Sequence, residues 1–299
     1  DFQTVDVDGN ETPKKIPEQN KTYNVYRAIK LGLGDFFVKN GFKTACLGLS
    51  GGIDSAVVLS MAAETLGPEN IRVLLMPSQF SSDHSVEDAR ELAENLGVEY
   101  QIVPINETFA ALTATLGPVF GELPFNVAEE NMQARIRGMM MMAISNKFGN
   151  VLLATSNKSE IAVGYGTLYG DTVGALSIIG DLYKSEVYDL ARYINRQREI
   201  IPLNTIMKAP SAELRLEQKD SDSLPPYDVL DAILYRMIEE GQSREEIINA
   251  GFDEDEVYKV YNLVVKSEFK RYQSCPTLRL STRPMRTGRT MPLTNKYGC

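Results

Sequence analysis

The chain has 299 residues, 43% of them hydrophobic and 24% charged, and a formal net charge of −9 at pH 7. This is a globular composition; the acidic balance argues against a nucleic-acid backbone as partner, and no apolar run reaches membrane-spanning length. Cys46, Cys275 and Cys299 stand apart without C-x-x-C spacing, so neither a zinc site nor a redox pair is legible and a reducing cytoplasm is the expected compartment.

Residues 1 to about 20 are polar, with Gly9, Pro13, Pro17 and no periodicity, the composition of a linker or arm. The remainder, 21–299, is expected to form one domain. Apolar Tyr26, Ile29, Leu33, Phe36 and Phe37 predict a helix over about 23–39. Strand 43–49, helix 54–66, strand 71–77, helix 84–96 and strand 99–105 follow in alternation. A short helix over 107–115, a longer one over 126–148 and a buried strand, Val151 to Thr155, come next. Alternation of this kind predicts an α/β fold, a doubly wound parallel sheet with helices on both faces.

The single histidine, His84, sits where the 84–96 helix begins and reads as a surface residue of the capping region; one histidine leaves little scope for a His-based triad. The 126–148 helix carries an apolar excess, Met132, Ile136, Met139, Met140 and Ala143, suited to a core or to a second subunit. A polar loop from Lys208 to about Leu224 is long enough to be either disordered or functional. Helices over about 226–240, 243–250 and 254–269 form a C-terminal extension. Lys266, Lys270, Arg271, Arg279, Arg283, Arg286 and Arg289 then gather near the C-terminus, which suits an anionic substrate or, equally, a solvated basic surface.

The most informative stretch is Ser50-Gly51-Gly52-Ile53-Asp54-Ser55, between the buried strand Ala45–Leu49 and the helix that follows. Strand, Gly-rich turn and helix N-terminus together offer backbone N–H groups to a phosphate. Gly51 and Gly52 allow close approach and positive φ; Ser50 and Ser55 add hydroxyls, and Asp54 a carboxylate suited to Mg²⁺. The spacing is neither that of a Walker A loop, for want of a lysine, nor that of a dinucleotide fingerprint. It resembles the SGGxDS pyrophosphate loop of the N-type ATP pyrophosphatases, of adenine nucleotide alpha hydrolase-like fold.

Four further blocks extend the resemblance: Glu130-Asn131-Met132-Gln133-Ala134-Arg135-Ile136-Arg137; Asn157-Lys158-Ser159-Glu160 running on to Gly164 through Asp171; Asp181-Leu182-Tyr183-Lys184; and Pro210-Ser211-Ala212-Glu213-Leu214 with Asp222 to Tyr227. With these the chain resembles NAD⁺ synthetases over nearly everything after residue 20. The resemblance implies that Gly48, Leu49, Ser50, Gly51, Gly52, Ile53, Asp54, Ser55, Thr155 and Lys184 bind ATP, with Ser211 near the same phosphates. It implies that Asn131, Arg135, Glu160 and Lys270 contact deamido-NAD⁺, and that Asp54, Glu160 and Asp171 are candidate Mg²⁺ ligands. Asp54, Lys184 and Ser211 are the implied catalytic residues, and a homodimer the implied assembly, plausibly through the 126–148 helix.

The implied reaction is adenylation of the pyridine carboxylate by ATP, then displacement of AMP by ammonia. It needs no protein nucleophile, and residues 78–85 and 208–224 are candidates for a water-excluding lid. Leu168 and Ala175 stand where ammonia-only relatives carry Lys and Asp, so the closer likeness is to the synthetase portion of glutamine-dependent enzymes. No glutaminase module is present, so the chain is expected to be an excised domain or a stand-alone enzyme using ammonia, with a glutaminase domain or subunit as a possible partner. Another N-type pyrophosphatase, GMP synthetase-like, or a non-catalytic ATP-binding module are the alternatives.

Overall fold

The computed structural model describes residues 20–216 and 218–294. The arm expected over residues 1 to about 20 lies almost wholly outside them. Helix α1 (Lys21–Asn40) is capped by Asn20, whose side chain accepts from the Thr22 and Tyr23 amides. Strand β1 (Ala45–Gly48), helix α2 (Ile53–Leu66), strand β2 (Ile71–Leu75), helix α3 (Asp83–Leu96) and strand β3 (Tyr100–Ile102) follow. After α4 (Asn106–Phe120) and α5 (Val127–Phe148) come β4 (Val151–Ala154), α6 (Lys158–Val163) and β5 (Leu176–Ser177). Helices α7 (Lys184–Ile194) and α8 (Leu203–Met207) precede the C-terminal α9 (Tyr227–Tyr235), α10 (Arg244–Asn249), α11 (Glu254–Lys266) and α12 (Glu268–Arg271).

The five strands are parallel in the order β3-β2-β1-β4-β5. Their alternating side chains divide the core as a pleated strand must. Ala45, Leu47, Val73, Leu75 and Leu153 face α1, α2 and α7, whereas Cys46, Leu74 and Leu152 face Ile105, Ile136 and Met141 on the other side. A separate cluster joins α6 to the C-terminal helices through Val163, Leu230, Val260 and Val264.

Three expectations change. The helix expected over 107–115 runs to Phe120. Strand β5, with α6, α7 and α8, was not anticipated: its two residues have no period, and pairing of Leu176 with Leu153 creates it. The C-terminal arginines are mostly structural. Arg271 is fully buried, bonding Glu268 and the carbonyls of Ala162 and Val264; Arg286 bonds the Ser274 carbonyl and Arg283 that of Ile238.

Candidate active site

Strand order reverses between β1 and β4, and at such a switch point the carboxyl ends of the strands open a crevice. A cavity of about 830 Å³ lies there, within the size range of ligand sites. The Ser50–Ser55 loop forms its floor. Gly51 has φ +80°, and a Cβ there would stand 2.1 Å from the Ser85 carbonyl oxygen, so only glycine permits this approach of the loop to α3. The Ser50 hydroxyl accepts from the Gly52 amide at 3.2 Å, and the Ser55 hydroxyl donates to the Gly52 carbonyl at 3.0 Å. No side chain caps α2 at Gly52, leaving its first amides directed at the cavity.

Asp54, in the first turn of α2, meets residues from α6 and α7. Asn157 Nδ2 donates to one carboxylate oxygen at 2.9 Å and Lys184 Nζ to the other at 2.5 Å. Lys184 also reaches Glu160 at 3.4 Å, and its ammonium lies 5.1 Å from the centre of the Tyr227 ring. Burial opposes the Lys184 charge, but the Asp54 and Glu160 carboxylates outweigh it and hold the ammonium well above the usual lysine range. Burial, reinforced by the Asp54 charge, raises Glu160 above the usual carboxylate range, while the Lys184 ammonium opposes that rise. Asn157 and Glu160 cap α6 reciprocally.

The other expected residues lie around the turn 164–171. Asn131 accepts from the Thr167 hydroxyl at 2.6 Å, and Arg135 Nε donates to the Leu168 carbonyl at 3.2 Å. Asp171 accepts from the Thr167 amide at 2.7 Å, while Lys270 donates to the carbonyls of Gly164 and Gly166 at 2.8 and 2.9 Å. Burial raises Asp171 above the usual carboxylate range. Thr155 sits half-buried just beyond β4 on the cavity wall. Ser211 lines the cavity from the 208–224 loop and donates to the Gln218 carbonyl.

The three candidate metal ligands are not gathered. Among the described residues no group of three or more His, Cys, Asp or Glu side chains is placed to share one metal ion. Asp54 and Glu160 share Lys184, whereas Asp171 is committed to its own turn.

Segments 78–85 and 208–224 are hydrogen-bonded to each other. Glu213, at φ +49°, accepts from the Ser82 amide and from the Ser82 and Ser85 hydroxyls, and Lys208 pairs with Asp88 at 2.9 Å. Sequence reasoning quoted Asn157 within a block of the resemblance but gave it no role, which the N-x-x-E capping pattern could have supplied. It passed over Asp220 too, buried and accepting from the Tyr165 and Tyr227 hydroxyls at 3.1 and 3.0 Å. It gave no role to Arg137.

The sequence model of the NAD synthase family matches residues 25–274. The glutamine-dependent NAD(+) synthetase of Synechocystis is 52% identical over 276 residues, which are 92% of this chain and 50% of that protein. A solved structure, the glutamine-dependent NAD+ synthetase from Acinetobacter baumannii in complex with ADP, is 40% identical with a TM-score of 0.64, covering 94% of this chain and 51% of the other. The chain spans about half the length of the curated relatives it matches. The NH3-dependent NAD synthetase from Campylobacter jejuni is 30% identical with a TM-score of 0.69, covering 84% of this chain and 96% of that one. With a family match running from the first helix to the last and a relative of nearly the same extent, the chain belongs to the NAD synthase family.

Proposed function

We propose that the chain converts deamido-NAD⁺ to NAD⁺, consuming ATP and ammonia and releasing AMP and pyrophosphate. The observation that carries the reading is one cavity lined both by the phosphate loop, with Asp54, Glu160 and Lys184, and by the 164–171 turn with Asn131, Asp171 and Lys270; Arg135 supports that turn from outside the cavity, through the Leu168 carbonyl. The loop amides and Lys184 would hold the ATP phosphates; the turn and its supports would hold the dinucleotide.

In the first step a carboxylate oxygen of the pyridine ring forms a bond to the α-phosphorus, and the bond to pyrophosphate breaks. Lys184, kept charged by its carboxylate neighbours, offsets the negative charge that accumulates there. In the second step ammonia nitrogen bonds the acyl carbon, AMP departs and a proton is released. Glu213, tying the 208–224 loop to α3, would exclude water from the acyl adenylate between the steps. Ser211 carries that same loop and would lie near the phosphates.

Asp54 and Glu160 are hard oxygen donors and fit Mg²⁺, which binds through one or two carboxylates together with substrate phosphates. Bound there, the ion would neutralise phosphate charge; Asp171 would serve the dinucleotide side of the cavity.

We further propose that residues 21–299 act as one synthetase unit in the cytoplasm and pair as a homodimer through α4 and α5. Helix α4 is rich in apolar residues yet has none buried, and Val119 on it, Leu123 and Phe125 in the link after it, and Val127 and Met139 on α5 are exposed. A glutaminase domain or subunit is the proposed natural source of ammonia, by likeness to the glutamine-dependent relatives.

The deciding assay incubates the chain with ATP, Mg²⁺ and deamido-NAD⁺, with either ammonium or glutamine, and measures NAD⁺ and pyrophosphate. NAD⁺ from ammonium alone is expected. Neither product, with ATP shown to bind, would overturn the reading in favour of a nucleotide-binding module.

A further inference from the structure

Arg137 stands on α5 where the two halves of the cavity meet. Its Nε donates to the Met76 carbonyl, just past β2, at 2.9 Å. The Met76 side chain lies 3.1 Å from where a Cβ on Gly48 would sit, beside the entry to the phosphate loop. The next residue along the helix, Gly138, leaves room for a Cβ only 2.8 and 2.9 Å from the Tyr169 and Gly170 carbonyl oxygens, immediately before Asp171. Arg137 therefore stands between the end of β2 beside the phosphate loop and the dinucleotide turn.

Its charge is unanswered. Arg137 is half-buried and lines the cavity, yet among the described residues no carboxylate lies within 4.0 Å and its two terminal nitrogens have no hydrogen-bond partner. Glu213 and Asp171 influence it only from a distance, and burial lowers its pKa to about 10. By contrast Arg271, the most buried guanidinium here, is paired with Glu268 and two carbonyls. A partly desolvated cation without a paired carboxylate costs stability, and such exceptions belong to functional sites.

The geometry also selects the anion. In the function proposed above, on which this inference rests, the ATP phosphates already have the loop amides and Lys184. The remaining anion at the reacting centre is the ring carboxylate. A guanidinium whose Nε is fixed on a carbonyl presents its two terminal nitrogens end-on. That fork matches a planar carboxylate bidentately; a neutral carboxamide, with one acceptor oxygen and a donor amide, matches it poorly. We propose that Arg137 recognises the pyridine carboxylate of the acid substrate, distinguishes it from the amide product, and holds it toward the phosphate loop for adenylation.

The test measures binding of deamido-NAD⁺ and of NAD⁺ by calorimetry, with ATP affinity, pyrophosphate release and thermal unfolding, for the wild type, Arg137→Gln and Arg137→Lys. Arg137→Gln is expected to weaken binding of the acid dinucleotide about 10- to 100-fold, the loss of a charge-assisted pair. Affinities for NAD⁺ and ATP should hold, and the melting temperature should stay level or rise. Arg137→Lys should recover part of the loss, keeping the charge but not the fork. Equal losses for acid and amide, an unchanged preference for the acid, or a loss shared by ATP would overturn the assignment. Should Arg137→Gln not fold, wild-type discrimination in Arg137→Lys would overturn it as well. A wild-type chain that releases no pyrophosphate would overturn the function and this assignment together. An active wild type with unaltered discrimination in the variants would overturn the assignment alone.

Discussion

Replacing Gly51 by alanine isolates the contact that sets the phosphate loop against α3. Two costs combine. A Cβ-bearing residue at φ +80° costs about 1–2 kcal/mol in the left-handed region. The new Cβ would also stand 2.1 Å from the Ser85 carbonyl oxygen, a backbone atom with no rotamer to change. Ser85 cannot withdraw easily, because its hydroxyl is bonded to Glu213 at 2.8 Å and to Lys208 at 3.1 Å. Overpacking of this kind adds about 1–3 kcal/mol, giving about 2–5 kcal/mol in all. At about 2–4 °C per kcal/mol for a domain of this size, thermal unfolding should occur about 4–20 °C lower. Gly52→Ala is the control: Gly52 has φ −80°, and its nearest obstacle is the rotatable Ser50 hydroxyl at 3.3 Å. Differential scanning calorimetry of both variants gives the comparison, with pyrophosphate release as a second reading on Gly51→Ala. Melting temperatures of the two variants within about 2 °C of each other would refute the reasoning.

Lys184→Met removes the ammonium shared by Asp54 and Glu160. Pyrophosphate release at saturating ATP should fall about 10²–10³-fold, and a fall of less than about fivefold would remove Lys184 from the chemistry. Lys158, with no exposed surface, is held by Glu239 at 2.5 Å, Ser281 at 2.8 Å and Asp181 at 2.9 Å. Lys158→Met strands two carboxylates in a buried site and should cost about 3–5 kcal/mol in urea unfolding; under about 1 kcal/mol would show the cluster to be dispensable. Burial pushes the Cys46 thiol from 9.0 up to about 12. Its folded pKa lies above the unfolded one, so its contribution to stability is complete below pH 9 and is lost as pH rises toward 12. Peptide mapping after iodoacetamide at about pH 8 should find Cys46 unlabelled in the native protein and labelled in urea; native labelling would contradict its burial.

Local chemistry carried much of the fold into the sequence. Ala45–Leu49 is apolar without interruption because a parallel strand is covered on both faces, and it is followed at once by the Gly-Gly turn and an apolar helix. The period-2 division that sends Leu47 to one core and Cys46 to the other is equally a property of the chain itself. The phosphate loop is legible for the same reason: its conformation depends on residues adjacent in sequence.

What the sequence left undecided depends on residues far apart. Strand β5 exists only through its pairing with β4 and the bridge from Ser177 to Thr277. The C-terminal arginines read equally as ligands for an anion or as a solvated basic surface, and packing makes Arg271, Arg283 and Arg286 neither, turning them onto backbone carbonyls. Asp54, Glu160 and Asp171 are alike as hard oxygen donors, but only the fold places the first two on Lys184 and the third on the Thr167 amide. Arg137 and Arg135 lie two residues apart on one helix, so its 3.6-residue period sends one to the Leu168 carbonyl and the other into the cavity. Composition and spacing thus determined the elements and the class of chemistry. Tertiary structure decided which charges meet and which are left open, because electrostatic pairing depends on distances in space that sequence separation does not encode.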